Sequence, residues 1–226
     1  MKSGVLLENH LKIDHIFICS DAPDDDAQIF TDFGFTEGPP NTHPGQGTAN
    51  RRFFFDNMYL EFLYIADDKL AQSALTKPSK LYERFTDKGD NISPFGFGLY
   101  PSNNLMKIKD YNSWEYRPKF LPPPLKMNVY GDSLAEPMYY YMEFVSENSK
   151  VGQKKFNHAN GFHYISAVKI FTPQAELDSD FKRDLSHYDI LKFEDSQTHI
   201  LEVTFDGGKS NKTHDFRPQL PIIFRW

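Results

Sequence analysis

The order of strand-like and helix-like segments constrains the fold of this chain more than any other feature. Residues 12–19 are rich in Ile and Phe, which predicts a strand. A helix signal follows, because Pro23 and three acids precede apolar residues at helical spacing. Residues 51–55 and 58–65 predict two more strands. If residues 35–37 form a short strand, the order is strand, helix and three strands.

The same order recurs further along the chain. Residues 94–100 predict an opening strand, and residues 103–111 predict a short helix. Residues 114–117, 125–130 and 137–144 then predict three strands, separated by prolines. The repetition lies in the order of elements and not in residue identity, and it favours two βαβββ modules.

A third stretch begins near His158. It predicts a strand over 164–171, a helix over 173–185 and short strands over 189–193, 199–205 and 221–225, with an exposed loop at 209–213. We therefore predict an α+β fold in which paired βαβββ modules form an open cup-like mixed sheet, with an additional C-terminal strand-helix-strand module. The predicted boundaries are 10–148 for the paired modules (12–66 and 92–145) and 157–226 for the additional α/β module packed on them.

Composition narrows the classes of partner. A net charge of −6 over 226 residues argues against a nucleic-acid-binding protein. No apolar stretch of the sequence has the length of a membrane helix. Cys19 is the single cysteine, which excludes an intrachain disulfide and suits a reducing compartment. We therefore expect a cytoplasmic protein that binds a small molecule. A homodimer is one possible oligomeric state; the alternative is a chain whose C-terminal module covers the sheet edge that a dimer would use.

The segment from Ile13 to Ile65 carries a family resemblance. It combines an Asp-His strand opening at 14–15, a His-Pro-Gly-Gln-Gly-Thr-Ala-Asn loop at 43–50 and a Tyr-Leu-Glu strand at 59–61. This combination resembles the glyoxalase-like group of the vicinal-oxygen-chelate superfamily, which also includes bleomycin resistance proteins and dioxygenases. The N-terminal third matches well, the middle matches by element order, and the C-terminal third matches loosely.

The resemblance implies a cup that binds a ligand inside it. Members often hold one divalent metal with a His from the first strand and a Glu from the last strand of each module, and others bind ligands without metal. By this pattern His15 and Glu61 are metal ligands, and Glu61 is also a candidate catalytic base. The candidate ions are Fe, Mn, Ni, Zn or Co, and a metal-free site is the alternative.

His15 alternates with Ile13, Phe17 and Cys19, which predicts one shared strand face. In the family pattern this face lines the cup, where a neutral imidazole is a common metal ligand. The alternative is a core histidine that is bonded to a backbone carbonyl.

Glu61 lies between Leu60 and Phe62 in a strongly apolar strand. A carboxylate there is costly unless it is paired, hydrogen-bonded or metal-bound. The alternative to a metal ligand or general base is a partner for a buried arginine, Arg51 or Arg52, on the neighbouring strand.

The second module departs from the metal pattern, because Gly96 or Phe97 stands where a His would lie. Glu143 is the candidate closing-strand ligand, and an exposed edge position is its alternative. His43 precedes a glycine-rich loop and is a candidate third ligand or proton shuttle, the alternative being an exposed loop histidine.

Substrate contacts are expected from Asn50, Trp114, Arg117 and Tyr140. Asn50 is either a substrate contact or a residue that holds its loop through hydrogen bonds. The aromatic residues of the middle module either line an apolar cup or pack in the core, and Arg117 would pair with an anionic ligand.

Two functions remain open. The first is a metal-dependent lyase, isomerase or dioxygenase that acts on a small oxygenated substrate, with the metal as Lewis acid. The second is a metal-free binding protein on the same fold. We favour the enzyme, because a buried His and a buried Glu together are hard to explain by packing.

Overall fold

A computed structural model describes residues 11–87, 89, 91–102, 113–130, 133–147, 156–173, 181, 185 and 190–226. The first eight strands are β1 (Leu11–Cys19), β2 (Asn41–His43), β3 (Thr48–Phe54), β4 (Tyr59–Ile65), β5 (Phe95–Pro101), β6 (Ser113–Tyr116), β7 (Met127–Tyr130) and β8 (Met138–Tyr141). The helices are α1 (Pro23–Asp32), α2 (Asp68–Ala71) and α3 (Leu81–Thr86). The remaining strands are β9 (Ile165–Thr172), β10 (Leu191–Asp195), β11 (Ile200–Phe205), β12 (Thr213–Asp215) and β13 (Ile222–Arg225).

Strands β1 to β8 form one open mixed sheet in the order β2-β3-β4-β1-β5-β8-β7-β6. In each half the first strand pairs in parallel with the last, β1 with β4 and β5 with β8, and the halves join through an antiparallel β1–β5 pair. The predicted α+β fold with paired modules is thus confirmed. The predicted helix over 103–111 lies outside the described residues, as does most of the helix predicted over 173–185.

Helix α1 begins and ends where its sequence signals lie. Pro23 occupies the first turn together with three aspartates, which are favourable near the positive end of the helix dipole. Gly34 follows the helix at φ +106°, a conformation that only glycine adopts readily. Ala27 and Phe30 form the buried face of the helix.

Strand β1 contains a β-bulge that decides which side chains reach the cup. Its register against β5 shifts between Ile13 and His15. Ile13 packs in the main core with Ile16, whereas His15 and Phe17 lie on the cup face. The predicted common face of Ile13 and His15 is therefore wrong, because the extra residue, Asp14, interrupts the period of two.

A correction also applies to the second strand of the first module. Residues 35–37 form no strand, and the short strand is Asn41–His43. It pairs antiparallel with β3, His43 opposite Thr48. Gly45 and Gly47 have φ near +80° and supply the turn that makes this hairpin possible.

The C-terminal strands form a second sheet in the order β10-β9-β11-β13-β12. The strands predicted at its core are confirmed, but Thr213 begins β12 instead of ending an exposed loop. In this sheet β10 and β9 pair in parallel, β9 and β11 antiparallel, and β11 and β13 in parallel. The same sequence of pairings runs across β4-β1-β5-β8 of the large sheet. The small sheet therefore repeats the pairing scheme at the centre of the large one.

The two sheets share one core on either side of α1. The ring of Phe30 contacts Phe53 and Phe62 of the large sheet, with centroids 5.2 and 4.7 Å away. On its other side it contacts Phe216 and Phe224 of the C-terminal unit, at 5.7 and 5.2 Å. The outer face of the large sheet is thus covered, and the opposite face borders a cavity.

No helix within the described ranges combines the length and apolar character needed to cross a membrane.

Candidate functional site

A cavity of about 340 Å³ lies on the cup face of the large sheet. Its polar end is formed by Asp14, His15, His43, Tyr59, Glu61 and Tyr140. Its apolar wall includes Phe120, Leu121, Met127, Met138, Met142 and Phe144. An apolar cavity with a few converging polar groups is the usual form of a small-molecule site.

His15 is buried and fixed from three sides. Its Nδ1 lies 2.7 Å from Asp14 Oδ2, and its Nε2 is hydrogen-bonded to the Tyr140 hydroxyl. The ring of Tyr59 stacks on it at a centroid distance of 4.5 Å. Gly98 lies opposite, where an added Cβ would approach His15 Cε1 to 2.5 Å. The glycine therefore leaves the space that the imidazole fills.

These contacts set the hydrogen-bond directions around the imidazole. An ionised carboxylate only accepts, so His15 Nδ1–H donates to Asp14. In the tautomer with its proton on Nδ1, Nε2 accepts from the Tyr140 hydroxyl. The two hydrogen bonds that connect Asp14, His15 and Tyr140 orient the phenol oxygen at the polar end of the cavity.

Glu61 is 3% exposed, and its two oxygens have different surroundings. Oε2 accepts a hydrogen bond of 2.5 Å from Asn50 Nδ2, and Oε1 lies 3.9 Å from His15 Nε2. Burial raises the pKa of Glu61, and His15 and Asn50 offset part of that rise. The result is a carboxyl group with a raised pKa at the cavity wall.

Asn50 also holds the hairpin, because its Oδ1 accepts from the Asn41 backbone N–H at 2.8 Å. One side chain thus links the loop to Glu61. Asn50 is buried and is not part of the cavity lining. Its described hydrogen bonds match the alternative in which Asn50 holds its loop.

His43 lies at the cavity wall on the hairpin. Its Nδ1 is 2.8 Å from Thr48 Oγ1, and its ring contacts Phe120 at 5.0 Å between centroids. Burial, then the proximity of His15 and Arg52, lowers the pKa of His43 to about 4. The imidazole is therefore neutral at physiological pH.

The first strand of the second module offers no counterpart to His15. In the antiparallel β1–β5 pair, His15 lies opposite Gly98 and Phe17 lies opposite Gly96. A twofold rotation that exchanges the two strands maps His15 onto Gly96 and Phe17 onto Gly98. Gly96 therefore stands where a second histidine would lie.

The last strand of the second module carries Tyr140 at the position equivalent to Glu61. Glu61 pairs with Phe17 in the first module, and Tyr140 pairs with Gly98 in the second. Glu143 lies beyond the end of β8, exposed in a turn and outside the cavity lining. Strand β8 ends earlier than the predicted strand, which explains this displacement.

Two further predicted substrate contacts, Arg117 and Trp114, have other described partners. Arg117 is exposed and pairs with Glu115 at 2.7 Å. Trp114 is half-buried and contacts the ring of Tyr116, with centroids 5.5 Å apart. Neither Arg117 nor Trp114 lines the cavity.

Sequence reasoning missed two residues of the polar end, Asp14 and Tyr59. Tyr59 lies two residues before Glu61 on the same strand face, so strand periodicity was a sufficient signal for it. Asp14 alternates away from His15 in an ideal strand, and only the bulge brings it to the same side.

The donor set does not fit the four-ligand metal site of paired modules. The four equivalent positions hold His15, Glu61, Gly96 and Tyr140, of which only the first two offer the expected ligand types. Across the described ranges, no group of three His, Cys, Asp or Glu side chains has a metal-holding arrangement.

Comparison with known proteins supports the domain and the fold. Residues 13–93 match the family model of the glyoxalase-like domain, which confirms the resemblance over that range. No curated protein matches the sequence. A hypothetical protein from Staphylococcus aureus is similar in structure with 13% identity and a TM-score of 0.52, over 95% of this chain and 98% of that chain. This likeness shows the fold, and it extends over the C-terminal sheet.

Two further solved structures are less similar. A hypothetical protein from Bacillus halodurans shares 12% identity over 58% of this chain and 93% of that chain, with a TM-score of 0.40. A xylose isomerase-like TIM barrel/4-hydroxyphenylpyruvate dioxygenase fusion protein shares 9% identity over 87% of this chain and 36% of that chain, with a TM-score of 0.48.

Proposed function

We propose, with the glyoxalase-like domain at residues 13–93 as the premise, that the cavity binds a small oxygen-bearing molecule and that the protein moves a proton on it, as a lyase or isomerase. The observation that carries the proposal is the arrangement at the polar end. A buried carboxyl group, Glu61, lies 3.9 Å from His15, which is itself hydrogen-bonded to Tyr140.

Glu61 is the proposed general base. A carboxyl group works best in proton transfer when its pKa approaches the working pH, and burial shifts the pKa of Glu61 in that direction. In the proposed step its carboxylate takes a proton from a carbon next to a substrate carbonyl. The electron pair of the broken C–H bond forms a C=C bond while the C=O π pair moves onto the carbonyl oxygen. In an α-hydroxy carbonyl substrate, Glu61 then returns the proton to the former carbonyl carbon, and the proton of the neighbouring hydroxyl passes to the former carbonyl oxygen, which gives the isomer.

Tyr140 is the proposed partner of that oxygen, and its single O–H would turn from His15 Nε2 to the substrate oxygen when the ligand binds. Desolvation raises the pKa of Tyr140 well above its ordinary value, so the phenol stays protonated and can donate a hydrogen bond. Asp14 holds the His15 ring in one orientation through Nδ1. The phenol oxygen of Tyr140 is thus in place before charge develops, and only its O–H has to turn toward the substrate.

Hydrogen exchange tests the proposal without a known substrate. Wild-type protein is incubated in D₂O with α-hydroxy ketones and α-hydroxy aldehydes, and NMR follows deuterium entering the carbon next to the carbonyl. We expect enzyme-dependent exchange that is lost in Glu61→Gln and kept in Glu143→Gln, an exposed carboxyl outside the cavity. Exchange that is equal in both variants, or absent throughout, would contradict the proposal.

A metal-dependent lyase, isomerase or dioxygenase is the second candidate. Its support is that His15 and Glu61, the two residues matching the family's ligands, both line the cavity. A bound metal would act there as a Lewis acid on substrate oxygens. Elemental analysis after supplementation with Fe, Mn, Ni, Zn or Co separates the candidates. A stoichiometric transition metal that is lost in both His15→Ala and Glu61→Ala would replace the metal-free mechanism.

We also propose a cytoplasmic location. It is supported by the single cysteine, which suits a reducing compartment. Microscopy of a fluorescent fusion in the source cells tests it, and a signal confined to another compartment would contradict it.

A further inference from the structure

The charges at the polar end of the cavity select among oxygen-bearing ligands. Asp14 and Glu61 place two carboxyl groups at this end, on either side of His15. Asp14 is already the acceptor for His15 Nδ1–H, and Glu61 for Asn50. An anionic ligand would therefore be repelled by these acidic groups, and the repulsion is stronger than in water because the dielectric constant inside the protein is lower.

The cationic side chain closest to this arrangement in the sheet register is engaged elsewhere. Arg52 pairs with Glu61 across β3 and β4, but its guanidinium lies over the rings of Phe54 and Tyr59, at 5.0 and 5.9 Å from their centroids. Its Nε donates to the Pro39 carbonyl at 2.9 Å. Arg52 does not line the cavity, and its charge acts on Glu61 and His43 from outside the lining.

The apolar side of the cavity favours an apolar ligand body. Met127, Met138 and Met142 line it together with Phe120 and Phe144. Methionine side chains adapt to irregular and aromatic shapes. A volume of about 340 Å³ is near the small end of the range of about 300–1,000 Å³ for ligand pockets, which suits a compact, single-ring ligand.

We propose that the ligand is an uncharged molecule with an apolar body and a hydroxyl or carbonyl group at one end, such as a hydroxy ketone, hydroxy aldehyde or hydroxy ester, and not a carboxylate or a phosphate ester. The proposal rests on the cavity being the binding site of the proposed function. A hydroxyl or carbonyl exchanges hydrogen bonds with His15, Tyr140 and Glu61 without adding charge. Either ion would lose its hydration in the cavity: an anion would do so beside two acidic groups, and a cation beside carboxyl groups that already accept from His15 and Asn50.

Three probes that share a phenyl ring and a neighbouring hydroxyl test the charge preference. They are methyl mandelate, which is neutral, mandelate, which is anionic, and 2-amino-1-phenylethanol, which is cationic. Calorimetry on the full chain measures their dissociation constants. We expect methyl mandelate to bind at least about tenfold more tightly than mandelate. In Glu61→Gln, with one acidic group removed, the ratio should fall toward one.

A pair of loop variants locates the binding. Leu121 lines the cavity, whereas Leu125 lies in the same proline-rich segment and does not line it. Leu121→Trp should fill the cavity and abolish binding of methyl mandelate, and Leu125→Trp should leave it unchanged. Urea denaturation of both variants checks that they are folded.

Each outcome is decisive for one of the two proposals. Equal or tighter binding of mandelate, or tightest binding of the amine, overturns the inference about charge, while Glu61-dependent deuterium exchange would still support the proposed function. The absence of binding by all three probes, or binding that Leu121→Trp does not affect, overturns the inference together with the cavity as the binding site.

Discussion

Gly98 gives the sharpest test of how the imidazole of His15 is accommodated. A Cβ at Gly98 would lie 2.5 Å from His15 Cε1, 2.7 Å from Nδ1 and 3.0 Å from Nε2. The backbone of Gly98 is in a strand and is not among the positive-φ glycines, so alanine can adopt it without strain. Gly98→Ala therefore acts through the ring of His15.

The expected cost follows from three contributions. Overpacking a filled site costs about 1–3 kcal/mol. Displacing the ring also weakens its hydrogen bond to Asp14, which is 2.7 Å long, and bonds to charged groups are worth about 1.5–3 kcal/mol. Replacing glycine returns about 0.4–1 kcal/mol through the unfolded chain. Because the first two contributions overlap, we expect Gly98→Ala to lower the free energy of unfolding by about 2–4 kcal/mol.

Urea denaturation of a double-mutant cycle measures this effect. The four proteins are the wild type, Gly98→Ala, His15→Ala and the double variant. Without the imidazole the alanine has room, so Gly98→Ala should be neutral or stabilising by up to about 1 kcal/mol in the His15→Ala background. The coupling free energy should then be about 2 kcal/mol or more. An equal cost in both backgrounds would refute the close packing of Gly98 on His15.

Three further predictions concern hydrogen-bonded residues. The pKa of His43 is about 4 when folded and 6.5 in its ordinary state, so the unfolded chain binds more protons between these values, and stability should fall as pH drops through this window. His43→Asn should flatten that part of the stability–pH profile, and an unchanged profile would contradict the shift. Asn50→Ala leaves Glu61 without its 2.5 Å donor and should cost about 1–3 kcal/mol in urea denaturation, more at alkaline pH than at acidic pH; a cost independent of pH would show that Glu61 is not charged there. His158→Ala removes a buried ring that accepts from the Thr36 N–H and donates to the Phe54 carbonyl, and should cost about 2–3 kcal/mol. His163→Ala should have little effect, because this side chain is exposed and the described hydrogen bonds of the residue are made by its backbone.

The module order could be predicted from the sequence because it depends on local signals. Strand β1, helix α1 and strands β3 and β4 each carry a propensity or capping pattern that the fold retains. The hairpin strand β2 could not be predicted in this way, since its residues are polar. Its formation depends on the turn at Gly45 and Gly47 and on pairing with β3.

The polar end of the cavity was predictable only in part. The family resemblance predicts His15 and Glu61, the glycine-rich loop predicts His43, and the aromatic residues of the middle module include Tyr140. The structure brings these four side chains to one cavity. Asp14 depends on a bulge, which arises from pairing with a distant strand. The displacement of Glu143 depends on where β8 ends, which no local pattern specifies.

The position of Phe30 between the two sheets has an evolutionary consequence. Because this ring packs against Phe53 and Phe62 on one side and against Phe216 and Phe224 on the other, a change of size on one side must be matched on the other. The C-terminal sheet therefore cannot be replaced by that of another protein without changes in the residues that pack on Phe30. We expect the two halves to diverge together among relatives, and a chimera that joins halves from distant relatives to require repacking around this helix before it folds.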